Sequence, residues 1–476
     1  MKKQEKSIKI YYDDNCPTCT LYKNKDQKSG GKWVSNTELG NSKITDRQIV
    51  VEKDGRLLKN IDAIAAIEES KGNAFWAKLL RQKLLKPFLR LGYRIISFYR
   101  KQITGEYAPR FWIKTIVGLG FLGAMSVSWR LWTNFHDFPS DPLLGQLGVG
   151  LLPFSNVLAV LMAASLLGLV FTRKKTSWWV GLFLLLATLL VIGDLNRLRP
   201  WLYQLSALLI GLVVVKDKKV LPQAFFVVLA ATYFWGGLQK LNNYFVNEIF
   251  PWFVSPLTNA IPIHTEVVSL AAVVVVVIEM SIGVLLFIPR YRYGAAVLAT
   301  ITHLFIVTVL PIGHHWGFVV LFWNLALMFV VWVSTQGKRG RSPWYVMAPI
   351  VLLLGIMPMA NWFGVWDNYL SLALYANETD RGYIILDKGS YGDLPENSRL
   401  NVIIWNDEKI AVDTLMWSYQ NYNTALYTND RTYKKALSVI CEIDSSAELY
   451  LRAKIRYFRT VPGKVITCEM LQNQPH

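Results

Sequence analysis

Cysteine is scarce in this sequence, and so are acidic residues. Four cysteines in 476 residues are too few for a disulfide scaffold, so each pair needs its own explanation. Cys16 and Cys19 form a Cys-x-x-Cys pair, but no second such pair and no nearby pair of histidines completes a set of four ligands. A structural zinc site is therefore disfavoured.

The shortage of acidic residues leaves a large basic excess. The chain has 33 Asp and Glu residues against 51 Lys and Arg residues, for a net charge of +18. These cations cluster beside apolar runs, where they set the orientation of membrane proteins, so nucleic-acid binding is disfavoured. The beginning of the chain also lacks the pattern of a signal peptide, because residues 1–7 are charged and lead into a strand-like run.

Apolar residues, in contrast, are abundant. They make up 53% of the chain. Runs of roughly 17–23 such residues recur, which is the length that a helix needs to cross a bilayer. We predict a multi-domain membrane protein: a soluble domain at residues 1–104, a helical bundle at 110–368 and a further domain at 369–476. The nine predicted spans lie at residues 115–132, 154–171, 178–194, 201–215, 221–240, 266–288, 293–311, 317–334 and 344–362.

Alternate connections between the predicted spans carry the positive charge. The basic connections lie at residues 173–175, 216–219, 290–292 and 338–341. The positive-inside rule places these connections in the cytoplasm. We therefore expect the amino terminus to be cytoplasmic and the carboxy-terminal domain to be extracytoplasmic, with the lipid bilayer as a partner of the chain.

The amino-terminal domain has the pattern of a small thioredoxin-like α/β fold. A strand is predicted at residues 8–12, followed by Asp13 and by Cys16-Pro17-Thr18-Cys19 at the start of a helix. A second strand at residues 49–52, a turn at residues 54–55 and a helix at residues 61–69 follow.

The spacing of Cys16 and Cys19 favours thiol chemistry. The first thiol would lie where backbone N–H groups and the helix dipole stabilise a thiolate. The second, one turn later, would be within reach to resolve a mixed disulfide. Half of a zinc site and two unrelated thiols remain the alternatives.

This segment resembles the DCC family of small thiol-disulfide oxidoreductases. The resemblance covers about residues 7–104 and rests on residues 12–19, on Asp54-Gly55 and Asp62-Ala63, and on residues 93–100. It implies that Cys16 is the nucleophile, that Cys19 is the resolving thiol, that Asp13 belongs to the catalytic motif, and that the protein reacts with a thiol partner. No proline lies between Pro17 and Pro87, so the cis-proline loop of ordinary thioredoxins has no candidate here.

Residues 78–114 are basic and amphipathic. This pattern predicts helices that lie on an anionic membrane face. The alternative is a helix that caps the soluble domain, and the two are compatible.

Polar residues within the predicted spans are expensive and therefore informative. Glu279 interrupts a run of valines, and His303 lies in the middle of the next span. We predict that these two side chains pair with each other, either for structure or as part of a site.

Lys240 lies at the end of the stretch Tyr233 to Asn243, close to the predicted outer boundary. An anchoring lysine that reaches the interface is the simple interpretation. However, Arg197, Arg199, Trp201 and Tyr203 are predicted at the same end of the bundle. Together these cationic and aromatic groups predict a site for an anionic or quinone-like ligand.

Residues 110–335 resemble the vitamin K-dependent gamma-carboxylase and its bacterial membrane relatives. The resemblance rests on residues 236–241, on residues 279–283, and on His303 followed by Ile312-Gly313. It implies that Lys240 is the base that deprotonates a quinol, with Glu279, His303 and Gly313 at the ligand site. It also implies a quinone as the candidate cofactor.

The carboxy-terminal residues 369–476 predict a small β-rich domain. Strands are predicted at residues 382–386, 400–405, 437–443, 447–458 and 464–468. Cys441 and Cys468 each fall in a strand-like run and are candidates for a structural disulfide.

Three functions remain open from the sequence. The favoured hypothesis is an inner-membrane thiol-disulfide oxidoreductase fused to a carboxylase-like bundle that binds a quinone. The second is a quinone-dependent carboxylase or epoxidase that uses Lys240 as its base. The third is a membrane scaffold without enzymatic activity.

Overall fold

A computed structural model of the chain describes residues 8–26, 31–39, 48–104, 108–216, 221–335, 344–373, 381–452, 454–456 and 459–473. The chain divides into two compact units, Met1–Trp112 and Ile113–His476.

The first unit is a four-stranded sheet with helices. Its elements are β1 (Lys9–Tyr12), α1 (Pro17–Lys25), β2 (Lys32–Ser35), β3 (Val50–Lys53), β4 (Arg56–Lys59), α2 (Ile61–Ser70), α3 (Ala74–Arg81) and α4 (Lys86–Ile103). The strand order is β2-β1-β3-β4. β1 pairs in parallel with β2 and antiparallel with β3, and β3 pairs antiparallel with β4. Since a parallel pair needs a crossover, α1 provides the connection from β1 to β2.

The patterned elements of this unit were predicted, and two strands were missed. β1, the helix start after Cys16, β3 and α2 lie where the sequence predicts them. The turn between β3 and β4 places Asp54 and Gly55 at φ 52° and 73°, in the left-handed region that glycine and aspartate tolerate. β2 and β4 were missed because the four residues of each are too few to show a clear alternation.

The second unit begins with a helical bundle. Its helices are α5 (Ala108–Val127), α6 (Trp129–Trp132), α7 (Gln146–Leu151), α8 (Ser155–Phe171), α9 (Thr176–Gly193), α10 (Pro200–Val214), α11 (Leu221–Leu238), α12 (Phe250–Ala260), α13 (Thr265–Phe287), α14 (Arg292–Gly313), α15 (Val319–Thr335), α16 (Trp344–Ile350) and α17 (Met357–Ala360). A π-helical stretch, Val351–Ile356, joins the last two helices.

Five helical segments in the described residues are long and apolar enough to cross a membrane, which indicates an integral membrane protein. They are Ala108–Val127, Gln146–Phe171, Thr176–Gly193, Thr265–Phe287 and Arg292–Gly313. Four shorter apolar helices of 10–17 residues coincide with the other four predicted spans: Pro200–Val214, Ala224–Leu238, Val319–Thr335 and Met347–Phe363. The structure thus gives a helical bundle with five segments of spanning length, and nine spans remain a prediction.

The carboxy-terminal part of the second unit mixes strands and helices. Its elements are β5 (Gly382–Asp387), α18 (Glu396–Arg399), β6 (Val402–Ile404), β7 (Lys409–Asp413), α19 (Thr414–Tyr422), α20 (Asp430–Cys441), β8 (Glu448–Leu451), β9 (Lys454–Arg456), β10 (Arg459–Val461), β11 (Lys464–Thr467) and α21 (Cys468–Gln472). An antiparallel sheet has the order β11-β8-β5-β7-β6.

One predicted strand in this region is wrong. Residues 437–443 mostly belong to α20, whose apolar residues Tyr433, Ala436, Leu437 and Ile440 recur at helical spacing and are buried. The short β-branched run at its end was taken for a strand because a window of seven residues hides that period. Cys441 therefore ends a helix, and Cys468 begins α21 directly after β11. The two cysteines, which the sequence offers as a candidate pair, form a disulfide bond.

The connections that the sequence places on the outer side all contact the carboxy-terminal part. Asp137 accepts hydrogen bonds from Trp417 Nε1 (3.0 Å) and Asn421 Nδ2 (2.6 Å). Asp141 pairs with Arg431 at 2.5 Å. These contacts gather one end of the bundle beneath the mixed sheet, and the segment that follows Lys240 lies at that end because Arg452 reaches Glu248 at 3.5 Å.

Candidate functional site

The first candidate site lies where β1 leads into α1. Cys16 directly precedes α1, Pro17 takes the first helical position, and Cys19 lies one turn into the helix. The Cys16 N–H donates to the carbonyl of Asp13 at 3.1 Å, which closes the turn between strand and helix. Both thiols are covered, with 0% of Cys16 and 3% of Cys19 exposed.

A buried arginine from α4 completes this site. Arg100 Nη2 lies 2.9 Å from Asp13 Oδ2, and its Nη1 donates to Cys19 Sγ at 3.4 Å. Thr18 also donates to the backbone carbonyl of Arg100, which holds the end of α4 beside the cysteines. Asp13, which the sequence assigned to catalysis, therefore contacts the arginine that faces the thiols.

The electrostatics of the site separate the two thiols. A hydrogen bond from Cys19, helped by the charge of Arg100, lowers the pKa of Cys16 to about 6 against the opposing effect of burial. The same hydrogen bond and burial raise the pKa of Cys19. Cys16 is thus the thiolate near neutral pH, and Cys19 keeps its proton.

Sequence patterns did not predict that Arg100 belongs to this site. Its segment, residues 93–100, contributes to the resemblance with the DCC family, but no sequence pattern predicts a partner for this arginine. The amphipathic pattern of α4 was the available signal. A basic residue at a position that proves 5% exposed, in an otherwise basic and exposed helix, has to find a buried partner.

The second candidate site is a cavity of about 360 Å³ inside the helical bundle. Its volume falls in the range of small-molecule pockets, and most of its wall is apolar. The apolar wall includes Phe245, Ile249, Phe250, Trp252, Phe253, Val275, Ile278, Ile301, Phe305, Ile306, Leu310, Val320 and Leu327. The polar groups on the wall converge from α11, α13, α14 and α15.

Lys240 and Glu279 form an ion pair on the cavity wall. Lys240 Nζ lies 2.8 Å from Glu279 Oε1 and 2.5 Å from Oε2. Only 18% of the lysine side chain and 9% of the glutamate side chain are exposed. The pair forms because α11 and α13 pack closely: a Cβ at Gly237 would stand 2.9 Å from Met280, and one at Gly283 would stand 2.7 Å from the carbonyl of Ala230.

A second polar chain runs from Tyr233 through His303 to Asn324. Asn324 Nδ2 donates to the carbonyl of Val320 at 2.7 Å, so its Oδ1, 2.7 Å from His303 Nδ1, must accept from that nitrogen. In the neutral ring, His303 Nε2 is then the unprotonated nitrogen, and it accepts from the hydroxyl of Tyr233. The chain presents a tyrosine hydroxyl with a neutral histidine behind it.

The predicted pairing of Glu279 with His303 is wrong. Both residues line the cavity, but Lys240 takes the glutamate, and Tyr233 and Asn324 take the histidine. The physical reason is that a carboxylate gains more from an ammonium ion than from a neutral imidazole. Asn324 is a polar residue in an apolar span, and this is the sequence feature that indicates a partner for His303.

The segment between α11 and α13 forms one side of the cavity. It lies between the spans predicted at residues 221–240 and 266–288, and residues Phe245–Ile249 form a π-helical turn that α12 follows directly. Asn242 Oδ1 accepts from the N–H of Phe245 at 2.9 Å and so starts this turn immediately after Lys240. The aromatic residues of the segment close the cavity from the end nearest the ion pair.

Four other residues predicted at the ligand site lie elsewhere. None of Arg197, Arg199, Trp201 and Tyr203 lines the 360 Å³ cavity. Arg197 is fully buried and donates to the carbonyls of Leu131 and Leu190 and to the hydroxyl of Ser155. Trp201 packs edge-on against Phe121 and Trp132, and the Tyr203 hydroxyl donates to the Leu353 carbonyl at 3.4 Å. Sequence placed these residues at the correct end of the bundle but could not give the direction of their side chains.

Gly313 also lies outside the cavity wall. A Cβ at this position would overlap the ring of Pro256, so this glycine lets the end of α14 approach α12. Its contribution is to packing of the segment that closes the cavity, and it does not contact the cavity itself.

Comparison of the chain with protein-family models, with curated proteins and with solved structures finds no match. The arrangement of the side chains is therefore the basis for any functional conclusion. Among the described residues, no group of three or more His, Cys, Asp and Glu side chains is placed to hold a metal ion.

Proposed function

We propose that the first unit is a thiol-disulfide oxidoreductase module of the DCC type with a thioredoxin-like fold. The observation that carries this proposal is the asymmetry of the two thiols, with the pKa of Cys16 lowered to about 6 and the pKa of Cys19 raised. Nucleophilic thiols have this low pKa, whereas cysteines buried in apolar surroundings do not. The order and directions of β1 to β4 around the cysteines also support the proposal.

The chemistry is a two-step exchange. The Cys16 thiolate attacks a disulfide of the partner, forms a mixed disulfide and releases one partner thiolate, which takes up a proton. The Cys19 thiol then loses its proton and attacks Cys16 Sγ, so that the second partner thiol leaves and a Cys16–Cys19 disulfide forms. Arg100 stabilises the negative charge that moves to Cys19 in the second step, because its Nη1 already contacts that sulfur.

Trapping of the mixed disulfide tests this function. The Cys19→Ser protein, purified in detergent and mixed with an aromatic disulfide such as 5,5′-dithiobis(2-nitrobenzoate), should hold one thionitrobenzoate on Cys16, and wild type should release two. Intact-protein mass spectrometry measures both products. The Cys16→Ser variant is the matched control. Equal labelling of wild type, Cys19→Ser and Cys16→Ser would contradict the proposed redox function.

We propose further that the helical bundle binds a quinone-type ligand, as the resemblance to the carboxylase suggests. The observation that favours this second function is the combination of a largely apolar 360 Å³ cavity with two polar groups, Lys240–Glu279 and Tyr233–His303. A quinone has an apolar ring with two oxygens on opposite edges, so one oxygen can meet each polar group.

The hydrogen bonds suggest how these groups divide the proton chemistry. In its ion pair with Glu279, Lys240 is an ammonium ion, which donates to a ligand oxygen and stabilises negative charge there. A base at Lys240, as in a quinone-dependent carboxylase or epoxidase, first requires proton transfer to Glu279. His303 Nε2 is already unprotonated and can take a proton through the hydroxyl of Tyr233, so we assign the base to this pair.

Binding of a soluble quinone to the full-length protein tests the bundle function. We expect menadione or a short-chain ubiquinone to raise the melting temperature of wild type in detergent, and to raise that of Tyr233→Phe by less, because loss of the hydroxyl costs about 1 kcal/mol of binding free energy. Tyr203→Phe is the matched control, since it removes a hydroxyl of the same bundle from outside the cavity. Equal stabilisation of the two variants would contradict the assignment. The non-enzymatic scaffold predicts instead that neither Lys240→Met nor Cys16→Ser changes any redox readout.

We propose a bacterial inner-membrane location with the amino terminus in the cytoplasm. The support is the charge of the connections together with the contacts that bring the acidic connections beneath the carboxy-terminal sheet. In this topology Cys16 and Lys240 face opposite sides of the bilayer, so a mobile quinone would have to link them. Reporter fusions after Lys175 and at the carboxyl terminus should report opposite sides.

A further inference from the structure

A second, smaller cavity of about 40 Å³ lies beside the ligand cavity and shares Val320 and Trp323 with its wall. Arg199, Pro200 and Trp201 form one side of this smaller cavity, and Tyr369 and Tyr419 belong to its lining. Its volume exceeds the roughly 10–15 Å³ that one water-sized particle requires. The space therefore accepts a small particle but no organic molecule of the size of a quinone.

The arginine on this wall is buried without a counter-charge. Arg199 is 1% exposed, and its Nη1 donates to the carbonyl of Ala425. Its Nε and Nη2 have no hydrogen-bond partner among the described residues. Its guanidinium carbon lies 5.8 Å from the centre of the Tyr369 ring, and Asp194 attracts it without forming a salt bridge. The guanidinium keeps its charge even when buried, so this cation is left with two unused donors.

The neighbouring Arg197 shows what a satisfied buried arginine looks like in the same segment. Its Nε, Nη1 and Nη2 donate to Leu131 O, Leu190 O and Ser155 Oγ at 2.9, 3.0 and 2.9 Å. The one buried carboxylate of the segment, Asp194, directs its Oδ1 to the backbone N–H groups of Asp141 and Asn196. The segment thus holds two buried guanidinium groups and one buried carboxylate.

Two further features make the small cavity electropositive. Arg199 is the residue before α10, so the positive end of the dipole of this 15-residue helix points to the cavity wall formed by Pro200 and Trp201. Trp201 Nε1 is a third buried donor without a partner. Leaving a buried charge and three N–H donors unsatisfied is costly, and one bound anion would relieve most of that cost.

We propose that the cavity at Arg199 is a binding site for one small monovalent anion of the size of a halide. Arg199 supplies the charge and the Nε and Nη2 donors, and Trp201 and the start of α10 supply additional positive potential. Since Val320 and Trp323 separate this site from the ligand cavity, a bound anion stabilises the wall against which the ligand lies. The proposal does not depend on the identity of that ligand.

Equilibrium binding of radioactive chloride to the full-length protein tests this proposal. Wild type in detergent, in gluconate buffer at constant ionic strength, should bind one chloride per chain in a saturable manner, and bromide should compete. Gluconate and sulfate should not compete, because the first is too large for the cavity and the second carries two charges. Absence of saturable chloride binding by wild type would overturn the proposal and would leave only water in the cavity.

Variants separate this site from general effects of salt. Arg199→Met should lower chloride binding at least tenfold, and Val319→Leu should lower it by filling the cavity while keeping the arginine. Arg130→Met removes an arginine that stacks on Trp129 and does not line the cavity, so it should bind chloride as wild type does. Equal binding by all variants would contradict the assignment. If Arg199→Met fails to fold, Val319→Leu and the wild-type competition still decide the matter.

Discussion

The cysteine site and the bundle cavity each contain a buried ion pair beside a reactive group, but they differ in what surrounds it. In the first unit Asp13 and Arg100 pair at 2.9 Å, and the thiols they face are 0% and 3% exposed. In the bundle Lys240 and Glu279 pair at 2.5 Å on the wall of a 360 Å³ cavity. The Asp13–Arg100 pair packs against the cysteine sulfurs, whereas the Lys240–Glu279 pair lines a cavity.

This difference indicates two kinds of recognition. A covered thiol reacts only when the structure opens locally or when a partner displaces what covers it, so reactivity at Cys16 depends on both the pKa and the opening. A preformed cavity needs no opening to define its ligand, and its shape and polar groups select that ligand directly. The four predictions below test this contrast, from the largest expected effect to the smallest.

Removal of Cys16 should abolish fast alkylation. Because Cys16 has a pKa of about 6 and Cys441 and Cys468 are disulfide-bonded, nearly all alkylation by iodoacetamide near pH 7 should occur at Cys16. We expect Cys16→Ser to lower the rate at least about a hundredfold. For wild type the rate should rise with pH, because the thiolate fraction grows, and should level off above the pKa.

The Cys19→Ser variant serves as the control for that experiment. It keeps the nucleophile, so its alkylation rate should be similar to that of wild type. The pH at the midpoint of the rate profile should change. An unchanged rate in Cys16→Ser would show that the covered site does not react and would end the redox interpretation.

Removal of Lys240 should destabilise the bundle because it leaves a carboxylate without a partner inside the cavity. For Lys240→Met we expect a loss of about 3–5 kcal/mol of unfolding free energy. The double variant Lys240→Met, Glu279→Gln should recover a large part of it, since no unpaired charge remains. Thermal unfolding in detergent measures both, and equal melting temperatures of the single and double variants would contradict a buried pair.

Removal of the charge at Arg100 should move the titration of Cys16. In Arg100→Gln the thiolate loses a nearby cation, and the charge of Asp13 is no longer balanced by that cation; both changes disfavour the charged sulfur. The midpoint of the alkylation rate should therefore rise from about 6 to roughly 7 or higher. Arg90→Gln, in the same helix but paired with Asp62, is the matched control and should leave the midpoint in place.

Removal of the Tyr233 hydroxyl should have the smallest effect. Tyr233→Phe deletes one hydroxyl, whose proton His303 accepts and whose oxygen can contact the ligand, and this hydroxyl contributes about 1 kcal/mol to binding, or roughly a fivefold change in affinity. Titration of a quinone by quenching of tryptophan fluorescence measures the change. An affinity equal to that of wild type would show that the ligand does not reach the tyrosine–histidine chain.

Local patterns predicted a good part of the fold. Alternation in β1 and β3, the turn at residues 54–55 and the apolar face of α2 are set by neighbours in sequence, and they appear in the structure. The positions of the apolar helices follow from composition alone, since each run of apolar residues is read without reference to any other. Failures occurred where the period was too short to resolve, as in β2 and in the strand predicted over α20.

The sequence identified individual residues of the candidate sites but not the contacts between them. Cys16, Cys19, Lys240, Glu279 and His303 stood out because of spacing or because an ionisable group in an apolar span is costly. Arg100 and Asn324, which contact Asp13 and His303, did not stand out. Arg100 is 87 residues from Asp13, and Asn324 is 21 residues from His303, and neither separation leaves a periodic signal.

The sequence by itself determined that this chain has apolar helices of membrane-spanning length, a helix that starts at a Cys-x-x-Cys pair, and costly polar groups inside the bundle, because these depend on residues adjacent in the chain. Only the tertiary structure decided that Lys240 pairs with Glu279, that His303 accepts from Tyr233, and that Arg199 faces a separate cavity. The reason is that side-chain pairing depends on how closely helices approach. At Gly237 and Gly283 that approach is set by contacts between α11 and α13, which no single stretch of sequence encodes.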